Sequence, residues 1–255
     1  MTDAADLTGL ADGVAEVWWA RRQDSSPRLT ALLDAAERER WAAYRLEADR
    51  DRFLVGCALA KTVLAAYTGR RPAEVRFDRT CRRCGRPHGK PAADGGLKHS
   101  VTHSGDLVAV AVAGSAVGVD AEQADGRARP LGGDGDPESL ARLVLADGER
   151  AALAAVDPAG RARAFLVAWT RKEAVTKARG DGLRVPFGDV VVAADLAVPR
   201  LTAWPYPQDP GCVSLLDLDA GPGYVAALAV LGRCDTVRAR DGSALLAGVQ
   251  AEALS

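Results

Sequence analysis

The chain has 255 residues, 48% of them hydrophobic, enough for one sizeable core or two small domains. A formal net charge of −1 gives no global attraction to nucleic acid, and no segment approaches the roughly 18 consecutive apolar residues of a membrane span. An odd number of cysteines, five, argues against a disulfide framework, and the polar start MTDAADLTGLADG does not read as a signal peptide, so a soluble cytoplasmic protein is expected.

In chain order, VAEVWWA (14–20) reads as a strand. A long helical stretch follows over 32–69, broken near Glu47 and ended by Gly69 and Pro72. Three strand candidates come next: EVRFDR (74–79), KHSVTHS (98–104) and LVAVAVA (107–113). After a turn at Gly114 and Ser115, VGVDAE (117–122) begins another strand. The pattern then repeats: a loose loop over 123–137, helical segments over 138–156 and 160–179, and strand candidates DVVVAAD (189–195), CVSLLDLD (212–219) and GYVAALAVL (223–231). The closing strands GDLVAVAVAG and GPGYVAALAVLG look alike. The expected fold class is α+β, with two similar halves, 1–115 and 116–232, and a tail, 233–255, that is loose or adds a short helix. Ligands of paired halves favour the cleft between them.

Chemistry concentrates around the junction. Residues two apart on a strand share a face, so Asp120 and Glu122 lie together with Gly118 alongside. Two carboxylates at that spacing either face water or share a hard cation such as Mg²⁺. On a helical wheel of WTRKEAVTKARGDGL (169–183), Glu173, Thr176 and Lys177 fall on the same broad side as Phe165, Leu166 and Trp169. A carboxylate on an apolar side needs a partner or a metal. Glu173 therefore either pairs with Lys177 one turn on, or is a third acid at a metal while Lys177 reaches a phosphate. Gly180 and Gly182 allow a tight turn beside a ligand. Three acids, one metal and a lysine suit cleavage of a diphosphate.

GVDAE (118–122) followed by WTRKEAVTKARGDGL resembles the paired signature of Sfp-type 4′-phosphopantetheinyl transferases, roughly G-[IV]-D-x-E and W-x-x-K-E-x-x-x-K-x-x-G-x-G-L, with a similar gap between the blocks. EADRDRFLVG (47–56), HGKP (88–91) and SVTHSGD (100–106) resemble flanking blocks, so the resemblance spans roughly 32–231. It implies a pseudo-twofold α+β fold with coenzyme A and Mg²⁺ in the cleft between the halves. It further implies transfer of phosphopantetheine to a serine of an apo acyl or peptidyl carrier protein, with release of 3′,5′-adenosine bisphosphate. Carried over by position, Asp120, Glu122 and Glu173 surround the Mg²⁺. Glu173 is the metal ligand, the base for the carrier serine, or both. Lys177 contacts the diphosphate. Lys172 is a weaker contact or faces solvent. His103 matches the histidine at the 3′-phosphate; Thr102 stands where the family often has serine, and keeps a hydroxyl. Lys90 matches a basic residue near the adenine end. Arg40 and Arg52 match basic contacts to the CoA phosphates. One chain supplying both halves of the cleft implies a monomer.

Several features stay open. Glu149 is either a further site acid or an acid at a helix N-terminus. Cys81, Cys84 and His88 form half of a zinc knuckle. Neither His99 nor Cys57 offers a typical fourth spacing, so the run is read as a turn with reduced thiols, a structural zinc being the alternative. Asp181 is read as a turn acid. Two rivals remain: another Mg²⁺ enzyme acting on a diphosphate, weakened by the lack of a G-x₄-G-K-[ST] motif, and a non-enzymatic interaction module using the C-x₂-C loop and Arg-rich helices.

Overall fold

The computed structural model describes residues 10–81, 84–86, 89–93, 96–125, 137–195 and 197–252. In chain order the elements are β1 (Val14–Arg21), α1 (Ala35–Ala43), α2 (Glu47–Thr68), β2 (Phe77–Asp78), β3 (Ala92–Ala93), β4 (Lys98–Ser104), β5 (Leu107–Ala113), β6 (Val117–Gln123), α3 (Pro137–Val144), α4 (Asp147–Ala155), α5 (Pro158–Arg179), β7 (Val191–Val192), β8 (Leu201–Ala203), β9 (Val213–Leu218), β10 (Tyr224–Leu231), β11 (Thr236–Asp241) and α6 (Gly242–Glu252). The class is α+β, as expected. The chain divides into two compact units, Met1–Ser115 with Cys234–Ser255, and Ala116–Arg233.

The first unit is built on one sheet of order β11-β1-β5-β4, antiparallel except for the β1–β11 pair. Every residue of β5 is buried, as its unbroken LVAVAVA run dictates for a central strand. Helix α2 packs on this sheet through a core that includes Leu54, Ala58, Leu59, Val63, Val108 and Val110. It ends where Gly69 takes the left-handed conformation (φ 65°) that a side chain would strain.

The second unit has a three-stranded antiparallel sheet of order β6-β10-β9, with α5 lying across β6 and β10. Each sheet thus places its opening strand beside the second strand of a hairpin. The extended segments expected over 74–79 and 189–195 shrink to two-residue strands outside these sheets. A 3-10 turn, Pro72–Glu74 or Phe187–Asp189, takes up the start of each, leaving β2 to pair with β3 and β7 with β8. The helical stretch 138–156 splits between Val144 and Asp147, where Glu149 caps a fresh N-terminus at the Ala146 N–H. No helix among the described residues is long and apolar enough to cross a membrane.

Expected as a tail that is loose or adds a short helix, residues 234–252 form both β11 and α6 and belong to the first unit. The reason is a buried carboxylate. Glu16 on β1 is 2% exposed and accepts hydrogen bonds from Arg240 Nε (3.0 Å) and Nη2 (2.8 Å), from Arg238 and from the Tyr67 hydroxyl. Burial alone would raise this carboxyl, but those partners hold it below its ordinary value. A depressed carboxyl contributes stability above its unfolded value that disappears as pH falls through the folded one. Replacing Arg240 by Ala should therefore lower unfolding free energy by about 2–4 kcal/mol near neutral pH. In urea titrations the difference should narrow as pH falls below the ordinary carboxyl value of about 4.5 and Glu16 becomes protonated.

Candidate functional site

The site begins with a missing side chain. A Cβ added at Gly118 would fall 2.0 Å from the carbonyl oxygen of Ala174 and 2.4 Å from the Ala178 nitrogen. The backbone of α5 therefore rests directly on β6, a contact open only to glycine. Asp120, two residues on and on the same face, is 4% exposed and is brought against the last turns of the helix. There the Lys177 ammonium donates to Asp120 Oδ1 at 2.6 Å and to the Val119 carbonyl at 3.3 Å. Of the two readings of Glu173 and Lys177, the pair within the helix does not form; the lysine turns to the strand instead.

Glu173 is half-buried one turn before Lys177. Burial pushes its carboxyl up to about 7; Asp120 and Glu122 add to the rise and Lys177 opposes it. Lys177 answers in the opposite sense. Burial would lower it, but Asp120 and Glu173 hold it above its ordinary value, so it stays cationic. The result is a lysine fixed between acids, and a carboxyl poised to change protonation near neutral pH.

The donor set suits magnesium in kind: three carboxylates supply hard oxygens, and the rise of Glu173, due first to burial, includes a smaller repulsion from Asp120 and Glu122 that a cation would relieve. Among the described residues no group of three His, Cys, Asp or Glu side chains is gathered closely enough to hold an ion. The positive charge at Asp120 is that of Lys177.

On α5 one expectation changes, and on α4 one open reading is decided. Lys172 does not face solvent. It is fully buried and donates to Glu149 Oε2 (2.6 Å) and to the carbonyls of Val144 and Phe187 (both 3.0 Å). Of the two readings left open for Glu149, the helix N-terminal acid holds: it accepts the backbone N–H of Ala146 (2.7 Å) at the start of α4 and that of Val192 (2.8 Å). Neighbouring Arg171, also fully buried, reaches Asp217 on β9. Asp181 does more than occupy a turn. The Tyr206 hydroxyl donates to it, and Arg179 stacks on the Tyr206 ring at 4.0 Å from its centre. This closes the glycine turn (Gly180 φ 86°, Gly182 φ 55°) that follows Lys177. Sequence spacing missed the Tyr206 contact because it joins residues 25 apart across β7 and β8.

The remaining candidates lie in the first unit. His103 is exposed on β4 and Thr102 beside it is buried. Arg52 donates to the Gly105 carbonyl at 2.8 Å and pairs with Asp49, so it braces the turn just after His103. Arg40 is exposed, its guanidinium 5.3 Å from the centre of the Phe53 ring. Burial, with Lys98 nearby, lowers Lys90 to about 8. His88 lies outside the described residues. Cys81 is buried, Cys84 is exposed, and the Gly85 N–H donates to the Cys81 carbonyl at 2.8 Å. His99 is buried beside Phe77 and lowered to about 3 by burial, then by Lys90 and Arg79; Cys57 is pushed up to about 12 by burial.

A family model described as the 4′-phosphopantetheinyl transferase superfamily matches residues 116–229, nearly the whole second unit. The chain is 31% identical over 206 residues to the 4′-phosphopantetheinyl transferase HetI of Nostoc sp., covering 80% of this chain and 81% of that protein. It is 31% identical over 175 residues to a phosphopantetheinyl transferase of Thraustochytrium sp. (65% and 58% of the two chains). To a 4′-phosphopantetheinyl transferase of Bacillus subtilis it is 28% identical over 160 residues (63% and 66%).

Two outcomes test this geometry. Gly118→Ala must push α5 off β6, costing about 3 kcal/mol or more and seen as a lowered urea midpoint or as insoluble protein. A carboxyl raised in the folded state is neutral there while the unfolded chain is already ionised, so its contribution is lost as pH rises from about 4.5 through about 7. In metal-free buffer, Glu173→Gln should unfold at the wild-type temperature near pH 4 and above it near pH 8, measured by differential scanning calorimetry.

Proposed function

Because the chain belongs to the 4′-phosphopantetheinyl transferase superfamily, and is an enzyme of that class, we propose that it takes coenzyme A as donor and modifies a serine of an apo acyl or peptidyl carrier protein. The observation that carries this reading is the Lys177–Asp120 pair beside a carboxyl raised to about 7. In the proposed reaction the serine oxygen attacks the β-phosphorus of the CoA diphosphate. The bond to the oxygen shared with the α-phosphate breaks, and 3′,5′-adenosine bisphosphate leaves. Lys177, kept cationic by its acidic neighbours, offsets charge on the diphosphate. Glu173, whose titration falls near neutrality, is suited to accept the serine proton. Magnesium held by Asp120, Glu122 and Glu173 would supply further neutralisation of the diphosphate.

The first unit is proposed to carry the nucleotide end of CoA through His103, Thr102, Lys90, Arg40 and Arg52. For Arg52 the proposal has a specific form: its bond to Gly105 makes it a brace for the turn just after His103 as well as a cation near phosphate. A monomeric, cytoplasmic enzyme completes the proposal.

The test is direct. Incubation with CoA, Mg²⁺ and apo carrier proteins should add one phosphopantetheine to the carrier serine, read by intact mass. No mass gain on several carriers from fatty-acid, polyketide and peptide assembly would sink the reading. Asp120→Ala and Glu173→Ala should each lower the rate by about 10²-fold or more even at high Mg²⁺. Lys177→Ala should chiefly raise the CoA concentration required.

A further inference from the structure

The buried pair of Lys172 and Glu149 has a counterpart in the other unit. Helices α2 and α5 each have 22 residues, and Lys61 and Lys172 each stand fourteen places after the first. Both lysines are fully buried. Each ammonium lies 2.6 Å from a glutamate at the third position of the nine-residue helix just before, Glu37 of α1 or Glu149 of α4. Each glutamate also accepts the backbone N–H at its own helix start, Asp34 at 2.9 Å and Ala146 at 2.7 Å. Both long helices then end on a left-handed glycine, Gly69 or Gly180.

What differs is the chemistry beside the pair. The residue after the lysine is Thr62 in α2 and Glu173 in α5; five places on stand Ala66 and Lys177. The Thr62 hydroxyl only returns to the Ala58 carbonyl at 2.9 Å. The first unit thus keeps the glutamate–lysine pair without the acid and cation that the proposed reaction uses, and serves as an internal control. We infer that Lys172 is a positioning residue that does not touch substrate: its pair with Glu149 fixes the rotation of α5, so that Glu173 and Lys177 face β6. The inference rests on the transferase reading above.

The physical argument is directional. Successive helical residues point about 100° apart, so pinning residue 172 sets the heading of residue 173. Lys172 is pinned by three acceptors on separate segments: Glu149 of α4, Val144 at the end of α3, and Phe187 beyond the glycine turn. Turning α5 would break a buried ion pair and leave its charges unmatched. The second acceptors differ between units, since Lys61 has Asp34 at 4.0 Å where Lys172 has two carbonyls. That extra tethering falls on the helix that carries the reactive groups.

The experiment uses the full chain with CoA, Mg²⁺ and an apo carrier, at a temperature where circular dichroism shows each variant folded. Lys172→Met should lower kcat by about tenfold or more, because small misplacements of reacting groups are costly, and should weaken CoA binding by calorimetry no more than Lys177→Ala does. Glu149→Gln should reproduce the kcat loss, and the double variant should be no worse than either single one. Lys61→Met should lose comparable stability and keep the wild-type kcat. If Lys172→Met does not fold, Glu149→Gln alone decides: wild-type kcat in it overturns the inference. A CoA dissociation constant in folded Lys172→Met about tenfold or more above that of Lys177→Ala would mean substrate contact and overturn it too. Failure of the wild-type chain to transfer anything is a different result, and overturns the transferase reading itself.

Discussion

The second unit depends on the contact between the α5 backbone and Gly118. Helix axes usually stand about 10 Å from a sheet, held off by side chains. At Gly118 there is none, and the helix main chain meets the strand main chain. That approach lets the Lys177 ammonium reach both a side-chain and a main-chain oxygen of β6. It places Glu173 where burial and two acids act on its carboxyl. A larger residue at 118 would separate these groups without altering any of them.

A helix that lies so close must also be prevented from turning or sliding. Its Lys172 is fully buried and matched by buried Glu149, while Arg171, also fully buried, reaches out to the exposed Asp217. Buried ion pairs add little net stability compared with apolar packing, but breaking one is costly. They therefore suit a fixed orientation better than they suit raw stability. At the far end, Tyr206, Arg179 and Asp181 hold the glycine turn shut against fraying. The face of α5 that carries Glu173 and Lys177 is thus constrained at its strand contact, at its buried flank and at its C-terminus.

The two units use the same local plan to different ends. In both, a glutamate that caps a short helix also neutralises a lysine buried in a long one. In the first unit the C-terminal strand is recruited to satisfy the buried Glu16. In the second, the charges left over on the long helix meet the acids of β6.

Much of this was legible in the chain. The central strands showed as unbroken apolar runs, the helix ends showed as Gly69 and Gly180, and GVDAE with WTRKEAVTKARGDGL named the family and marked Asp120, Glu173 and Lys177. Strand period and helix period act over a few residues, so local spacing suffices to reveal them. The partners of the charges were not legible. Lys177 finds Asp120 rather than Glu173, Lys172 turns inward to Glu149, Tyr206 reaches Asp181, and Arg240 returns to Glu16 across the length of the chain. Each choice is made by desolvation: a charge removed from water takes whatever counter-charge the packed fold brings within reach, and only the tertiary structure decides which that is.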